Sequence, residues 1–351
     1  MCAADVEHTN WSAQFAEERT RLFTALRHVT DGGMLDQIVH VGATSIPGLW
    51  PAEPLITVAA TVWPLPLTDA ALLRLTALGY TLLPYEENPT VLHFRHDSGA
   101  FQLYLWEVAA ESWFDLLYTC DYLRQNEAAR RRYADTPLLP APPVPVVAAA
   151  RAWYCVHYGF APLDAITDML RAFPAPWYIS SGWAIDLFLG RVTRCHYDVD
   201  VVVARQDQLL LQQYLAERKW KFATYLNDQV GPWPLHMRLE LPRHQVHAHK
   251  QDIMIDILFT DMTDGVWRYR RNPSIIQTVE RIALKTANGV PYLAPELVLL
   301  FKSKTTGPRA RPQDDADFAN VCPQLRPDQR AWLRWVLLAT EPQHPWLTLL
   351  C

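Results

Sequence analysis

Apolar positions recur near helical spacing from residue 11 to 29, at Trp11, Phe15, Leu22, Phe23 and Leu26, with charges between them. This predicts an amphipathic helix. A short strand and a turn of small residues follow at Val39–Leu49, then a strand over Leu55–Val62 that ends at Trp63-Pro64. Ala70–Leu78 reads as a helix stopped by Gly79. Leu92–Phe94 and Phe101–Trp106 read as strands joined through Asp97-Ser98-Gly99, and Trp113–Tyr133 is helical again. Five prolines then fall between Pro137 and Pro145. Proline removes backbone donors and blocks helix propagation, so this stretch predicts a linker.

Beyond it the pattern repeats in outline. Leu163–Phe173 is helical, Trp177–Ser180 a short strand, Ser181-Gly182 a turn, and Trp183–Leu189 a helix closed by Gly190. Asp198–Val203 and Ile253–Phe259 read as strands around a helix at Gln206–Leu215, and the chain from Pro295 onward is mostly helical. These elements predict an α/β (α+β) chain of two domains, 1–138 and 149–351, joined by the Pro-rich residues 139–148.

Composition sharpens the division. The chain of 351 residues carries a net charge of −5, which argues against a general nucleic-acid coat protein. Residues 1–148 hold 9 arginines, no lysine and 17 acids, a balance of −8, and the remainder comes to +3. The six cysteines include no Cys-x-x-Cys pair, so neither a zinc knuckle nor a redox dithiol is signalled. The first ten residues have no apolar core, and no apolar run is long enough to span a bilayer. These features predict a cytoplasmic protein without membrane contact.

The candidate chemistry is concentrated at Tyr197-Asp198-Val-Asp200-Val-Val-Val203. On a strand, Asp198 and Asp200 share one face while the valines fill the other. Two carboxylates so placed repel each other unless a cation lies between them. Asp256 interrupts the apolar strand Ile253–Phe259 and supplies a third acid, with Asp252 as its rival four residues away. If the two strands lie side by side, the acids converge and can hold two Mg²⁺ ions for an in-line phosphoryl or nucleotidyl transfer. Ser181 and Gly182, at a helix start, offer backbone N–H groups to triphosphate oxygens. Arg191 and Arg194 can add forked contacts to the same oxygens.

The run from Gly182 to Asp200, GWAIDLFLGRVTRCHYDVD, resembles the core of the aminoglycoside and lincosamide nucleotidyltransferases of the polymerase-beta-like superfamily. Residues Pro295–Lys304 and Arg311–Phe318 are similar to the helical tail of that family. The resemblance implies that Asp198 and Asp200 bind Mg²⁺; Asp256 joins them as third ligand on the strand pattern and not on a motif of the family. It also implies that Ser181 and Gly182 contact the triphosphate, and that Lys302 or Lys304 reaches phosphate. The implied substrate is a nucleoside triphosphate, taken as ATP, and the implied product a nucleotidylated hydroxyl on a small molecule. A macromolecular acceptor such as tRNA or a protein, and a non-catalytic nucleotide-binding module, stand as alternatives.

His40-Val-Gly-Ala-Thr-Ser-Ile-Pro-Gly-Leu49, with Asp121-Tyr-Leu-Arg124 and Ala128–Tyr133, resembles the GrpB family, a distant member of the same superfamily. Where that family carries paired acids this chain reads Thr57-Val-Ala59. The first domain is therefore expected to be a degenerate copy without catalytic metal. Two further clusters read blandly. His236, His244, His247 and His249 fit no zinc spacing and predict a solvated loop. Trp267-Arg-Tyr-Arg-Arg271 is either a base-stacking segment or a structural strand with a solvated arginine face.

Overall fold

The computed structural model describes residues 3–26, 34–51, 53–63, 65–85, 90–108, 110–136, 138–226, 229–250, 253–303 and 311–350. Lys304 and Asp252 lie outside them. The chain folds into two compact units, residues 1–157 with 249–253, and residues 158–248 with 254–351. Both are mixed sheets flanked by helices.

In the first unit, helix α1 (Ala3–Leu26) precedes strands β1 (Met34–Val41) and β2 (Ile56–Trp63), with a tight 3-10 turn at Ala43–Ser45 between them. Helix α2 (Asp69–Ala77) is capped by the Thr68 hydroxyl, which accepts from the Ala71 N–H at 3.3 Å. Strands β3 (Tyr80–Leu82), β4 (Val91–His96) and β5 (Phe101–Glu107) complete a sheet in the order β1-β2-β5-β4-β3. β1 runs antiparallel to β2, and β2 parallel to β5. Leu22, Val58, Ala60, Leu75, Leu92 and Leu105 form the core beneath it.

The predicted helix over 113–133 is two helices, α3 (Glu111–Gln125) and α4 (Glu127–Arg132), because Asn126 leaves helical geometry and caps the second. Its side chain accepts from the Ala129 N–H at 2.9 Å. Within the Pro-rich stretch, Leu138 and Val146 are buried with Ile46, Leu49 and Leu123. Helix α5 (Val144–Tyr158) begins there, with Pro145 in the first turn, where a missing N–H costs nothing.

The second unit contains helix α6 (Ala161–Leu170), strand β6 (Trp177–Ile179), helix α7 (Ser181–Leu189), strand β7 (Val199–Ala204) and helix α8 (Gln208–Glu217). Strands β8 (Lys221–Leu226), β9 (Gln229–Pro232), β10 (Gln245–Lys250), β11 (Ile253–Thr263), β12 (Val266–Arg268), β13 (Ile276–Thr278), β14 (Ala283–Lys285) and β15 (Pro291–Leu293) follow. Helices α9 (Pro295–Lys302), α10 (Pro312–Val321) and α11 (Pro327–Thr340) form the tail. The sheet order is β14-β15-β6-β7-β11-β10-β8-β9, with β12 pairing β11 and β13.

β6 runs antiparallel to β7, and β7 parallel to β11. The central strand β7 is covered on both faces, which is why its sequence is almost continuous valine: Val199, Val201, Val202 and Val203 are all buried. Each such side chain contributes roughly 1.5–3 kcal/mol of transfer free energy. The five-strand order of the first unit recurs here as β6-β7-β11-β10-β8. No helix among the described residues is long and apolar enough to cross a membrane.

Candidate active site

The acids are assembled by strand register. Asp200 on β7 lies directly across from Asp256 on β11 in the parallel pair. Asp198 sits one residue before β7, and its carbonyl accepts from the buried Trp183 indole N–H at 3.0 Å. The Ser180 N–H donates to the Asp200 carbonyl at 2.9 Å. Helix α7 thus fixes the backbone on which both acids stand. Ser181 opens α7 at a φ of 53°, in the left-handed region that a serine rarely adopts. Its side chain hydrogen-bonds the Asp200 carboxylate. Backbone strain at such a position is held by its surroundings.

The three carboxylates feel one another. Burial, then the charge of Asp200, pushes Asp198 up to about 7. Burial also raises Asp200, against the pull of Lys302, the Ser181 bond, Arg194 and Arg311. Asp256 is driven well above the usual carboxylate range by burial and by both other acids. Its Oδ2 accepts from Gln245 Nε2 at 2.7 Å, and its buried Oδ1 has no hydrogen-bond partner among the described residues. A carboxylate oxygen without a hydrogen bond, coupled by charge to two further acids, is a hard oxygen donor of the kind that suits a divalent cation. As they stand, no three His, Cys, Asp or Glu among the described residues close round one point tightly enough to hold an ion.

A second network backs the first. Asp186, fully buried in α7, accepts from the Thr193 hydroxyl at 2.6 Å, the Thr193 N–H at 3.1 Å and His196 Nε2 at 2.7 Å. His196 Nδ1 then accepts from an Arg194 N–H at 3.1 Å. One neutral tautomer, protonated on Nε2, satisfies both bonds, and burial lowers the imidazole's proton affinity in agreement. Arg194 also reaches Asp317 at 3.4 Å. Lys302, 9% exposed, is held by Asp314 at 2.7 Å and Asp317 at 2.8 Å. Gly182 has no side chain because there is no room for one. A Cβ there would lie 2.3 Å from His196 and 2.5 Å from Arg194.

Of the residues singled out in the sequence, Asp198, Asp200, Asp256, Ser181, Gly182, Arg194 and Lys302 fall in this region. Arg191 does not share their hydrogen bonds; it is exposed, and its N–H caps the Asp186 carbonyl at 3.2 Å. Lys304 and Asp252 lie outside the described residues. The sequence reading missed Asp186, Gln245, His247 and Arg311. Asp186 had the same signal as Asp256, a lone acid in an apolar run. For His247 the sequence predicts a solvated loop. Instead β10 carries it, two residues from Gln245 on the same face, to 3.5 Å from Asp256 Oδ1, where burial lowers it to about 4. Trp267 and Tyr269 are buried, so the aromatic positions of 267–271 belong to the core and not to a stacking surface.

Residues 5–138 match the family model described as GrpB protein, and residues 162–321 the one described as aminoglycoside-2''-adenylyltransferase. The chain thus pairs a GrpB-like half with a half of nucleotidyltransferase type. No curated protein matches. Among solved structures, the chain is similar to the lincosamide antibiotic adenylyltransferase LnuA, lincomycin-bound, at 18% identity over 46% of this chain and 94% of that one, TM-score 0.35. It is also similar to ANT(2'')-Ia in complex with adenylyl-2''-tobramycin, at 18% identity over 51% and 96%, TM-score 0.38. The conserved protein GrpB from Enterococcus faecalis is similar at 21% identity over 36% and 74%, TM-score 0.31.

Proposed function

We propose that the second unit transfers a nucleoside monophosphate from a nucleoside triphosphate, ATP in the first instance, to a hydroxyl of a small molecule, with Mg²⁺ and release of pyrophosphate. The observation that carries this reading is the register that sets Asp200 beside Asp256, with Asp198 pinned two residues earlier by Trp183. The same reading takes 1–138 and 149–351 as the two domains, joined by 139–148.

Asp198, Asp200 and Asp256 would hold Mg²⁺, which would supply charge neutralisation at the reacting phosphate and a more acidic acceptor hydroxyl. Arg194 is oriented by the neutral His196 toward the same region, where its fork suits a phosphate oxygen pair. The start of α7 adds backbone N–H groups and the positive end of the helix dipole. Lys302 keeps Asp200 in reach of a positive charge while Asp314 and Asp317 fix its ammonium. Asp256, set beside Asp200 by the strand register, is the acid assigned to take the proton of the acceptor hydroxyl.

The test is pyrophosphate release by the full chain with each NTP, with Mg²⁺ or EDTA, across cationic and neutral polyhydroxylated acceptors. Metal-dependent release that Asp200→Asn reduces by at least about a hundredfold supports the reading. Undiminished release by that variant overturns it. Label on tRNA or protein, with none on small acceptors, would move the acceptor to the macromolecular class.

A further inference from the structure

The far end of β11 and the turn after β7 line a cavity of about 510 Å³ that contains none of the site residues above. On β11 the first lining residue, Phe259, is three residues beyond Asp256, so the cavity begins roughly 10 Å from the nearest of the acids. Its size is that of a small-molecule pocket. Four arginines line it, Arg205, Arg238, Arg268 and Arg270, against two acids, Glu240 and Asp261. Apolar wall comes from Leu241, Phe259, Met262 and Pro273.

The cations come from separate elements. Arg205 follows β7 and donates to the Leu239 and Arg243 carbonyls, both at 3.1 Å, which ties the 239–243 segment, with the lining residues Glu240 and Leu241, to the end of β7. Arg238 donates to the Gln206 carbonyl at 3.2 Å. Arg268 lies 3.7 Å from Asp261, and Arg268 and Arg270 are exposed while Trp267 and Tyr269 are buried in the core. On the wall, the buried Thr260 hydroxyl has no hydrogen-bond partner among the described residues. Guanidinium groups arriving from several directions match an anion with several oxygens better than one flat carboxylate. A cationic acceptor would be repelled here.

We infer that this cavity is a second binding site, for a phosphate-bearing organic anion of mononucleotide size, separate from the catalytic acids. Its phosphate lies among Arg238, Arg268 and Arg270, and its apolar body lies on the Phe259 and Met262 side. The inference does not depend on the reaction proposed above.

The probe is N-methylanthraniloyl-labelled GMP, followed by fluorescence anisotropy on the full chain in EDTA, where metal-dependent binding at the acids is suppressed. Saturable one-site binding is expected, weakened at least tenfold in Arg238→Gln/Arg270→Gln and unchanged within twofold in Asp200→Asn. Unlabelled GMP should displace the probe, and guanosine should not. If the double variant fails to fold by circular dichroism, Met262→Trp, which fills the cavity, should abolish binding instead. No saturable binding by the wild type, displacement by guanosine as good as by GMP, indifference to the variants in the cavity, or loss on Asp200→Asn would each overturn the inference.

Discussion

Gly182 shows how much a single position can carry. The space its Cβ would need is filled by the His196 ring and the Arg194 guanidinium, and His196 is itself anchored to Asp186 at 2.7 Å. Gly182→Ala therefore forces either the ring off Asp186 or the guanidinium off its present line. A loss of about 1–3 kcal/mol is expected, as for other overpacked sites. A larger proportional fall in nucleotidyl transfer should accompany it, because Arg194 is displaced. Thermal melting and KM for the NTP, measured together, check this; normal KM in a destabilised variant would place Arg194 outside the phosphate site. Glu296 gives a residue-scale prediction about pH. It is buried in α9, accepts from Gln329 Nε2 at 2.7 Å, and burial pushes it up to about 7. For an acid with a raised folded pKa, the unfolded chain releases the proton first. This contribution is therefore full below about 4.5 and is lost as pH rises to about 7. Glu296→Gln should remove that slope and leave the variant more stable than wild type at pH 8, by an amount on the order of 2–3 kcal/mol. Parallel stability curves for the two proteins from pH 5 to 8 would contradict the assignment.

At the scale of elements, the junction of β6 and α7 joins strain to chemistry. Ser181 holds a φ of 53° and bonds Asp200, so its backbone preference and its side-chain role pull in different directions. Ser181→Gly relieves the backbone and loses the bond. Stability within about 1 kcal/mol of wild type is expected, since glycine's extra unfolded-state entropy offsets the relief. Transfer activity should fall tenfold or more; full activity would remove Ser181 from the site. Strands and helices of this half were legible in the sequence because their signals are local: the valine run of β7, the lone Asp256 in an apolar strand, Gly190 closing α7. What was not legible depends on register. His247 and Gln245 meet Asp256 only because β10 pairs with β11, and the proline at 242 made the segment look like a loop. Arg311 acts on the acids from 55 residues beyond Asp256 and 111 beyond Asp200, and no spacing announces that. Asn126 divided a predicted helix by a capping bond that periodicity alone does not register.

At the scale of the whole molecule, one strand order has been used twice with different contents. In the first unit β2 stands where β7 stands in the second, paired in parallel with β5 as β7 is with β11. Thr57 and Ala59 occupy the strand that should carry the acids, and Ala59 pairs across to Tyr104 where a third acid would come. Thr57 accepts from Gln102 Nε2 at 2.8 Å, and Tyr104 stacks on His93 with ring centres 4.0 Å apart. The turn after β1 is also spoken for, since Arg124 donates to the His40 and Ser45 carbonyls and to the Ser45 hydroxyl. Neutral groups thus stand at positions 57, 59 and 104, which correspond in the strand order to the acids of the second unit. The full chain carrying Asp198→Asn and Asp200→Asn should accordingly show no Mg²⁺-dependent pyrophosphate release, with no residual activity attributable to the first unit. The reverse graft should fail as well. Thr57→Asp with Ala59→Asp buries two uncompensated carboxylates at positions 2% and 0% exposed, which is expected to cost several kcal/mol and to unfold the first unit before any metal is bound. Denaturation of the grafted chain with and without Mg²⁺ measures this. A grafted protein that is stable, gains further stability from Mg²⁺ and turns over NTP would show that the first unit has kept a working active-site scaffold.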